Sequence, residues 1–159
     1  MKKNLLLIVI ILSLSVIGHS YGASSGGGDG TKKKTNYDKG AYIIKKAKKY
    51  EKKGKIKKAT IQYEKALKYL IKSNKEKPNQ PNTLNYLGFA SRKLGNFEVA
   101  EKYYLEGLKI KPNHKGINEY LGELYIKTNR IDLAKQRLEV LKDCECEEYS
   151  ELKELIDNN

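Results

Sequence analysis

An internal repeat with a period of 34 is the feature that most limits how this chain of 159 residues can fold. The residues of one copy that recur are Leu87-Gly88, Gly95, Ala100, Tyr104 and Gly107, and 34 positions later they meet Leu121-Gly122, Asn129, Ala134, Leu138 and Leu141. Pro112 is unmatched, because Cys146 stands at that spacing. A fixed period of this length indicates units that cannot bury their apolar surface alone and therefore stack into an array.

A third, degenerate copy precedes these two once a change of length is allowed. Gly54, Ala59, Tyr63 and Ala66 align with the second copy at an offset of 41 instead of 34. The seven extra residues correspond to about two helical turns. We therefore expect an elongated second helix within residues 67–77 and three units over residues 40–80, 81–114 and 115–148.

The apolar pattern predicts two helices in each unit. In the second unit Leu84, Leu87 and Leu94 recur at spacings typical of one helical face, and Gly95 is a helix-ending residue. A second apolar stripe follows and ends before Pro112. No alternating strand pattern with turn signals is present, so a sheet domain is not expected.

The Leu-Gly pair, the small residue and the aromatic residue, in this order and at this period, resemble the tetratricopeptide repeat. The resemblance implies an all-α fold, a right-handed α-solenoid of three helix-turn-helix units plus a C-terminal capping helix, over residues 39–157. The cap is expected at residues 147–157, where Tyr149, Leu152, Leu155 and Ile156 form an amphipathic pattern. Such repeats are scaffolds for binding, so the resemblance favours a protein or peptide partner over catalysis.

The resemblance also implies a binding groove, because the first helices of the family's units line the concave face. The candidates are Lys45, Lys48 and Lys52 in the first unit, Asn82, Asn85, Tyr86, Phe89, Arg92 and Lys93 in the second, and Tyr120, Glu123 and Lys127 in the third. Tyrosines one repeat apart suit an extended or helical peptide with apolar anchors. Two alternatives stay open: Phe89 or Tyr120 packs between helices, and Asn82 or Asn85 begins a helix.

Residues 1–22 are typical of a secretory signal peptide. Lys2 and Lys3 precede an apolar run over residues 5–17, and small residues follow near Gly22. An uncleaved membrane anchor is the alternative, but this run would rise only about 20 Å as a helix, against a bilayer core of about 30 Å. Residues 23–38 should form a flexible leader rich in Gly, Ser and Lys. We expect a periplasmic or secreted protein.

Export affects how the two cysteines, Cys144 and Cys146, are interpreted. An oxidising compartment favours a disulfide between them as a local staple after the last repeat helix. Intermolecular pairing, a metal site and a redox role are the alternatives. Two thiolates do not complete a four-ligand zinc site, and His114 is distant in sequence, so no metal or other cofactor is expected. The segment from Cys144 to Tyr149, with Leu152, also resembles the end of small exported bacterial tetratricopeptide proteins.

Charge is unevenly distributed along the chain, whose formal net charge is +13. Residues 31–77 contain eighteen lysines against four acidic residues, a net charge of +14, whereas residues 143–159 contain seven acidic residues against Lys153, a net charge of −6. The basic end is either a solvated face or a surface for an anionic partner, such as an acidic protein segment or a membrane surface. Nucleic acid is not expected as a partner of an exported protein. A head-to-tail homo-oligomer is a further alternative.

No arrangement typical of an enzyme is present. His114 is the one histidine left after signal cleavage, and no nucleophile lies near it in sequence. The glycines at residues 26–30 lack the strand, helix and lysine spacing of a phosphate-binding loop. The sequence therefore predicts a periplasmic scaffold or adaptor that binds protein through a basic, tyrosine-containing groove. The alternative is a structural or self-assembling envelope-associated protein that acts through its charged ends or its cysteine pair.

Overall fold

The computed structural model describes residues 33–159, so the predicted signal peptide and most of the predicted leader lie outside the described residues. The described part consists of seven helices: α1 Asn36–Lys52, α2 Ile56–Glu76, α3 Pro81–Lys93, α4 Phe97–Ile110, α5 Lys115–Lys127, α6 Ile131–Leu141 and α7 Glu147–Asp157. The predicted all-α solenoid of helical repeats is confirmed. Within residues 33–159, no helix has the length and apolar character needed to cross a membrane.

The turn inside each helix pair explains one set of recurring residues. Gly54, Gly95 and Asn129 stand at equivalent positions between the two helices of their units, and their φ angles are 67°, 82° and 58°. This left-handed conformation is open to glycine and tolerated by asparagine, whereas most other residues clash there. The asparagine of the third unit is therefore a conformational substitute for the glycine of the other two.

Small residues recur where the paired helices approach each other most closely. Ala59, Ala100 and Ala134 are at most 2% exposed, as expected for equivalent crossing positions. A Cβ atom on Gly88 would lie 2.4 Å from Cε1 of the fully buried Tyr104. The ring of Tyr104 thus occupies the space that a side chain at residue 88 would need.

The first unit has the elongated second helix that its offset of 41 predicts. α2 has 21 residues, whereas α4 has 14 and α6 has 11. Leu70, in the extension, is fully buried and packs on Gly40 near the start of α1. Farther along, Nδ2 of Asn36 donates to Oε1 of Glu76 at 2.6 Å. Both helices of the first unit are therefore in contact along the extension.

The predicted capping helix is α7, which covers the end of the third unit. Its buried Leu152 packs on Gly122, where an added Cβ atom would lie 2.6 Å from Cδ2 of that leucine. Leu138, which aligns with Tyr104 of the second unit, is only half-buried. The space above Gly122 is thus filled from the cap, whereas the space above Gly88 is filled from the same unit.

Candidate functional site

The first helices of the three units, α1, α3 and α5, form one continuous surface, which we call the first-helix face. The Nζ atom of Lys48 on α1 lies 3.5 Å from the hydroxyl oxygen of Tyr120 on α5. Between them lies Phe89 of α3, whose ring centroid is 4.7 Å from that of Tyr120. The side chains of Lys48, Phe89 and Tyr120, one from each of these helices, therefore contact one another at the middle of this face.

An aromatic cluster forms the floor of the first-helix face. Phe89 is 2% exposed and also contacts Tyr63 of α2 edge-on, at 5.8 Å between centroids. Tyr86 is half-buried, and its ring centroid lies 6.0 Å from that of Tyr37. Phe89 therefore packs between neighbouring helices, whereas Tyr86 and Tyr120 retain partial exposure.

Three cations surround these rings. Nζ of Lys48 lies 5.4 Å from the centroid of Phe89, Cζ of Arg92 lies 5.5 Å from it, and Nζ of Lys93 lies 5.6 Å from it. The same atoms of Lys48 and Arg92 lie 5.7 Å and 5.6 Å from the centroid of the Tyr120 ring. Such positions are attractive because the ring faces carry negative electrostatic potential.

Arg92 is a structural cation, because its side chain is only 9% exposed. Its Nη1 atom donates to Oε2 of Glu123 at 2.6 Å, which joins α3 to α5. Its Nε and Nη2 atoms are buried and have no hydrogen-bond partner among the described residues, and the same holds for the hydroxyl of Tyr104. Burial raises the pKa of the Tyr104 hydroxyl, so this group remains neutral.

Glu51 forms a second polar link, which the sequence did not indicate. Its two carboxylate oxygens accept from the hydroxyl of Tyr63 at 2.6 Å and from Nζ of Lys93 at 2.8 Å. It therefore connects α1, α2 and α3. Although partial burial opposes the charge of Glu51, the hydrogen bonds from Lys93 and Tyr63 hold its pKa below the usual range.

Glu119 is a buried acid on α5, with 4% of its surface exposed. Burial, followed by the nearby carboxylates of Glu151 and Glu123, raises the pKa of Glu119 to about 9. At neutral pH this carboxyl is therefore protonated. No sequence pattern indicated this role, because the burial of Glu119 depends on the packing of α7 against α5.

The structure separates the twelve predicted groove residues into three groups. Those with exposed side chains are Lys45, Lys48, Lys52, Asn82 and Lys127. Those that are partly buried are Tyr86, Arg92, Lys93, Tyr120 and Glu123, and those that are buried are Asn85 and Phe89. Lys45 lines a different groove on the outer side of α1, with Tyr42 and Lys49.

Asn82 lies in the first turn of α3 and contacts the next unit instead of capping its own helix. Its Oδ1 atom lies 2.8 Å from Nε2 of His114. Nδ1 of His114 accepts from the backbone N–H of Ile117 and so caps α5. Burial lowers the pKa of His114, which favours the neutral ring that this capping bond requires. The contact therefore positions α5 against α3.

Cys144 and Cys146 are bonded to each other, with their Cα atoms 5.2 Å apart. The bond closes the short connection between α6 and α7, in which Glu145 has a φ of 45°. Among residues 33–159, no group of three or more His, Cys, Asp or Glu side chains is placed to hold a metal ion. The disulfide therefore crosslinks the connection between α6 and α7.

The helices form pairs in which equivalent residues recur, and a residue with positive φ lies between the two helices of each pair. Such pairs, with a surface formed by the first helices, are typical of helical-repeat scaffolds. Residues 81–114 match the sequence profile of the tetratricopeptide repeat. These residues, α3 and α4, therefore form a tetratricopeptide repeat. No curated protein sequence matches it significantly.

The fold is also similar to that of solved structures. The type III secretion translocator chaperone SycD of Yersinia enterocolitica superposes with a TM-score of 0.55 at 17% identity, over 76% of this chain and 88% of that one. The first tetratricopeptide domain of Spaghetti (RPAP3), solved with the HSP90 peptide SRMEEVD, gives a TM-score of 0.48 at 21% identity, over 78% of this chain and 95% of that one.

Proposed function

We propose that the protein is an exported scaffold that binds a segment of another protein on the first-helix face. The observation that carries this proposal is the arrangement of exposed lysines beside partly exposed tyrosines. Lys48 and Lys52 on α1 and Lys127 on α5 are exposed, and Tyr86 and Tyr120 between them are half-buried. Tetratricopeptide arrays use their extended surfaces for binding, which supports the same function.

The side chains of this face favour a segment with both acidic and apolar residues. Tyrosine offers large apolar area at a low cost in conformational entropy, and its hydroxyl can bond to a peptide backbone. The lysines add attraction for carboxylates, which mainly increases the association rate and selects against basic segments. Arg92 is excluded from this role, because its guanidinium is buried against Glu123.

The binding test therefore uses exposed residues and leaves the Arg92–Glu123 pair intact. Lys48→Glu combined with Lys127→Glu and Tyr86→Ala should abolish crosslinking of a partner recovered from the exported fraction of the native cell. A variant with Lys102→Glu and Lys109→Glu on α4 has the same change of net charge outside the first-helix face, and it should retain capture. If the triple variant folds, as shown by its far-ultraviolet circular dichroism, and captures the same partner, the proposal is wrong.

The export part of the proposal depends on the N-terminal sequence and is tested separately. Cleavage after Gly22 should give a mature chain that begins at Ala23. Mass spectrometry of the protein purified from the periplasm and from the membrane fraction measures this. A full-length chain found solely in the membrane fraction would show that the apolar segment is an anchor.

A further inference from the structure

The outer side of α1 forms a basic groove apart from the first-helix face. The groove encloses about 400 Å³ and is lined by Tyr42, Lys45, Lys46, Lys49, Tyr50, Lys53 and Lys55. Tyr42 is 66% exposed, and Nζ of Lys46 lies 5.9 Å from the ring centroid of Tyr50. We call this surface the outer face of α1.

The lysines of this groove form no ion pair with another residue of the described part of the chain. The ion pairs between described residues involve Arg92, Lys93, Arg130, Lys142 and Lys153, and none of the five groove lysines is among them. Lys45, Lys49 and Lys53 follow each other at spacings of four, so their like charges repel along one helical face. The groove is therefore a concentrated positive surface that an anionic partner would stabilise.

The repeat register shows which surface this is. Lys46 stands at the position of Leu87 and Leu121, which are fully buried in the later units. Lys49 stands at the position of Ala90 and Leu124, which are also fully buried.

Tyr42 shows what covers this surface in the rest of the array. It stands at the position of Ile117, whose Cδ1 atom packs over Gly107 of the preceding helix α4. Within residues 33–159 no helix precedes α1 to cover Tyr42 in the same way. The outer face of α1 is therefore the stacking surface of the array, and lysines replace two of its apolar residues.

The opposite end of the array carries the complementary charge. α7 packs on α5 and α6, with Leu152 buried against Gly122, and its other side exposes Glu147, Glu154 and Asp157. Leu155, on the same helix, is 44% exposed. One end of the solenoid is therefore an acidic helix with an exposed leucine, whereas α1 presents lysines and tyrosines at the other end.

We propose that the outer face of α1 binds α7 of a second copy, so that copies stack head to tail and continue the helical array. In the contact, carboxylates of α7 pair with Lys46 and Lys49, and Leu155 packs against Tyr42. The contact joins two different surfaces, so copies add head to tail and form open chains unless the rotation between copies closes a ring. Its ion pairs lie at the surface, so salt weakens it.

The test is exchange of charge between two variants of the full chain. The first variant carries Lys46→Glu and Lys49→Glu, so the net charge of the five lysine positions on the outer face of α1 falls from +5 to +1. The second carries Glu147→Lys and Glu154→Lys, so the net charge of α7 rises from −4 to 0. By sedimentation velocity at low ionic strength, the wild type should assemble in a concentration-dependent way, each variant alone should be monomeric, and an equimolar mixture should assemble again. High salt should dissociate both assemblies.

Two controls keep the result specific. Lys102→Glu with Lys109→Glu on α4 changes the net charge equally and should leave assembly of the wild type unchanged. All variants should retain the helical circular dichroism of the wild type, because the four exchanged side chains are exposed. A monomeric wild type at every concentration, or a folded mixture that fails to assemble, would overturn the proposal.

A vesicle experiment distinguishes binding of a second copy from binding of a lipid surface. Wild-type protein is sedimented with vesicles of phosphatidylglycerol and, as a control, of phosphatidylcholine. If the protein stays monomeric in solution and binds only the anionic vesicles, with loss of binding in the Lys46→Glu, Lys49→Glu variant, the outer face of α1 takes lipid headgroups and the head-to-tail proposal is wrong.

Discussion

Arg92 shows how a residue that is predicted to bind a partner can instead stabilise the fold. Its guanidinium bonds to Glu123 and lies over the rings of Phe89 and Tyr120, so it joins α3 to α5. The sequence placed it on the correct helical face. Its burial depends on how closely two neighbouring units pack. The spacing of residues along one helix does not predict that distance.

Arg92→Ala should therefore lower the free energy of unfolding by about 3 kcal/mol, because it leaves Glu123 partly buried without its cation. Urea denaturation followed by circular dichroism measures the change. Lys127→Ala, at an exposed position near the end of α5, is the matched control and should change stability by less than about 0.5 kcal/mol. A loss below about 1 kcal/mol for Arg92→Ala would show that the pair is solvated.

Glu119 should make stability fall as pH rises. Its pKa in the folded protein is raised to about 9 from the ordinary value of 4.5, so the unfolded chain releases its proton at lower pH than the folded chain does. The contribution of the protonated Glu119 carboxyl to the free energy of unfolding is fully present below pH 4.5. It is lost progressively between pH 4.5 and about 9.

Glu119→Gln tests this dependence, because the amide cannot ionise. Urea midpoints measured from pH 5 to pH 8 should fall for the wild type, and the slope should become flatter in the variant. Glu154→Gln, on the exposed side of α7, is the control and should keep the wild-type slope. Equal slopes in wild type and Glu119→Gln would show that Glu119 is ionised in the folded protein.

At the scale of elements, α5 and the cap approach each other most closely at one glycine, Gly122, where a Cβ atom would clash with Leu152. Gly122→Ala would place a Cβ atom 2.6 Å from Cδ2 of Leu152, so the leucine side chain, and α7 with it, has to shift. We expect a loss of about 1–3 kcal/mol. Hydrogen exchange should become faster in α7 and stay unchanged in α3. Gly88→Ala, which crowds Tyr104 instead, should speed exchange in α3 and α4. Unchanged protection of α7 in Gly122→Ala would contradict the docking of Leu152.

The disulfide should contribute little to global stability, because it closes a very short loop. The chain-entropy relation gives about 1.5 kcal/mol for a loop of about three residues, roughly half the value for fifteen. Replacing Cys144 and Cys146 by serine should lower the thermal midpoint modestly, as differential scanning calorimetry would show. Reductant should have no effect on the double variant. Complete unfolding of the wild type by reductant would show that the bond holds the array together.

Much of the element order could be predicted from the sequence, and the reasons are local. Gly54, Gly95 and Asn129 mark turns because few residues tolerate a positive φ. The offset of 41 predicted a long α2 because an insertion between fixed repeat positions must lengthen one helix. The roles of Glu51 and Glu119 could not be predicted in this way, since each depends on contacts between units or with the cap. The burial of Phe89 was one of the alternatives that the sequence left open.

For the molecule as a whole, the lysines of α1 should reduce its stability. Lys49 lies four residues from both Lys45 and Lys53, so Lys49→Glu replaces two repulsive spacings by two attractive ones. We expect a gain of about 0.5–1 kcal/mol at low ionic strength, most of which disappears in high salt. Thermal unfolding at two salt concentrations measures it. Lys65→Glu on α2, whose neighbours at spacings of four are the uncharged Ile61 and Tyr69, is the control for net charge. A destabilised Lys49→Glu variant would show that Lys49 makes a favourable contact.

The extra length of α2 also limits how this chain can vary. Seven residues turn a helix by about two full turns, so the insertion returns Leu70 and Ser73 to the side that faces α1. An insertion or deletion of two or five residues would rotate the rest of the helix by about half a turn and expose that side. Among natural variants of this protein, we therefore expect length changes within α2 to occur in steps close to seven or to three and four residues.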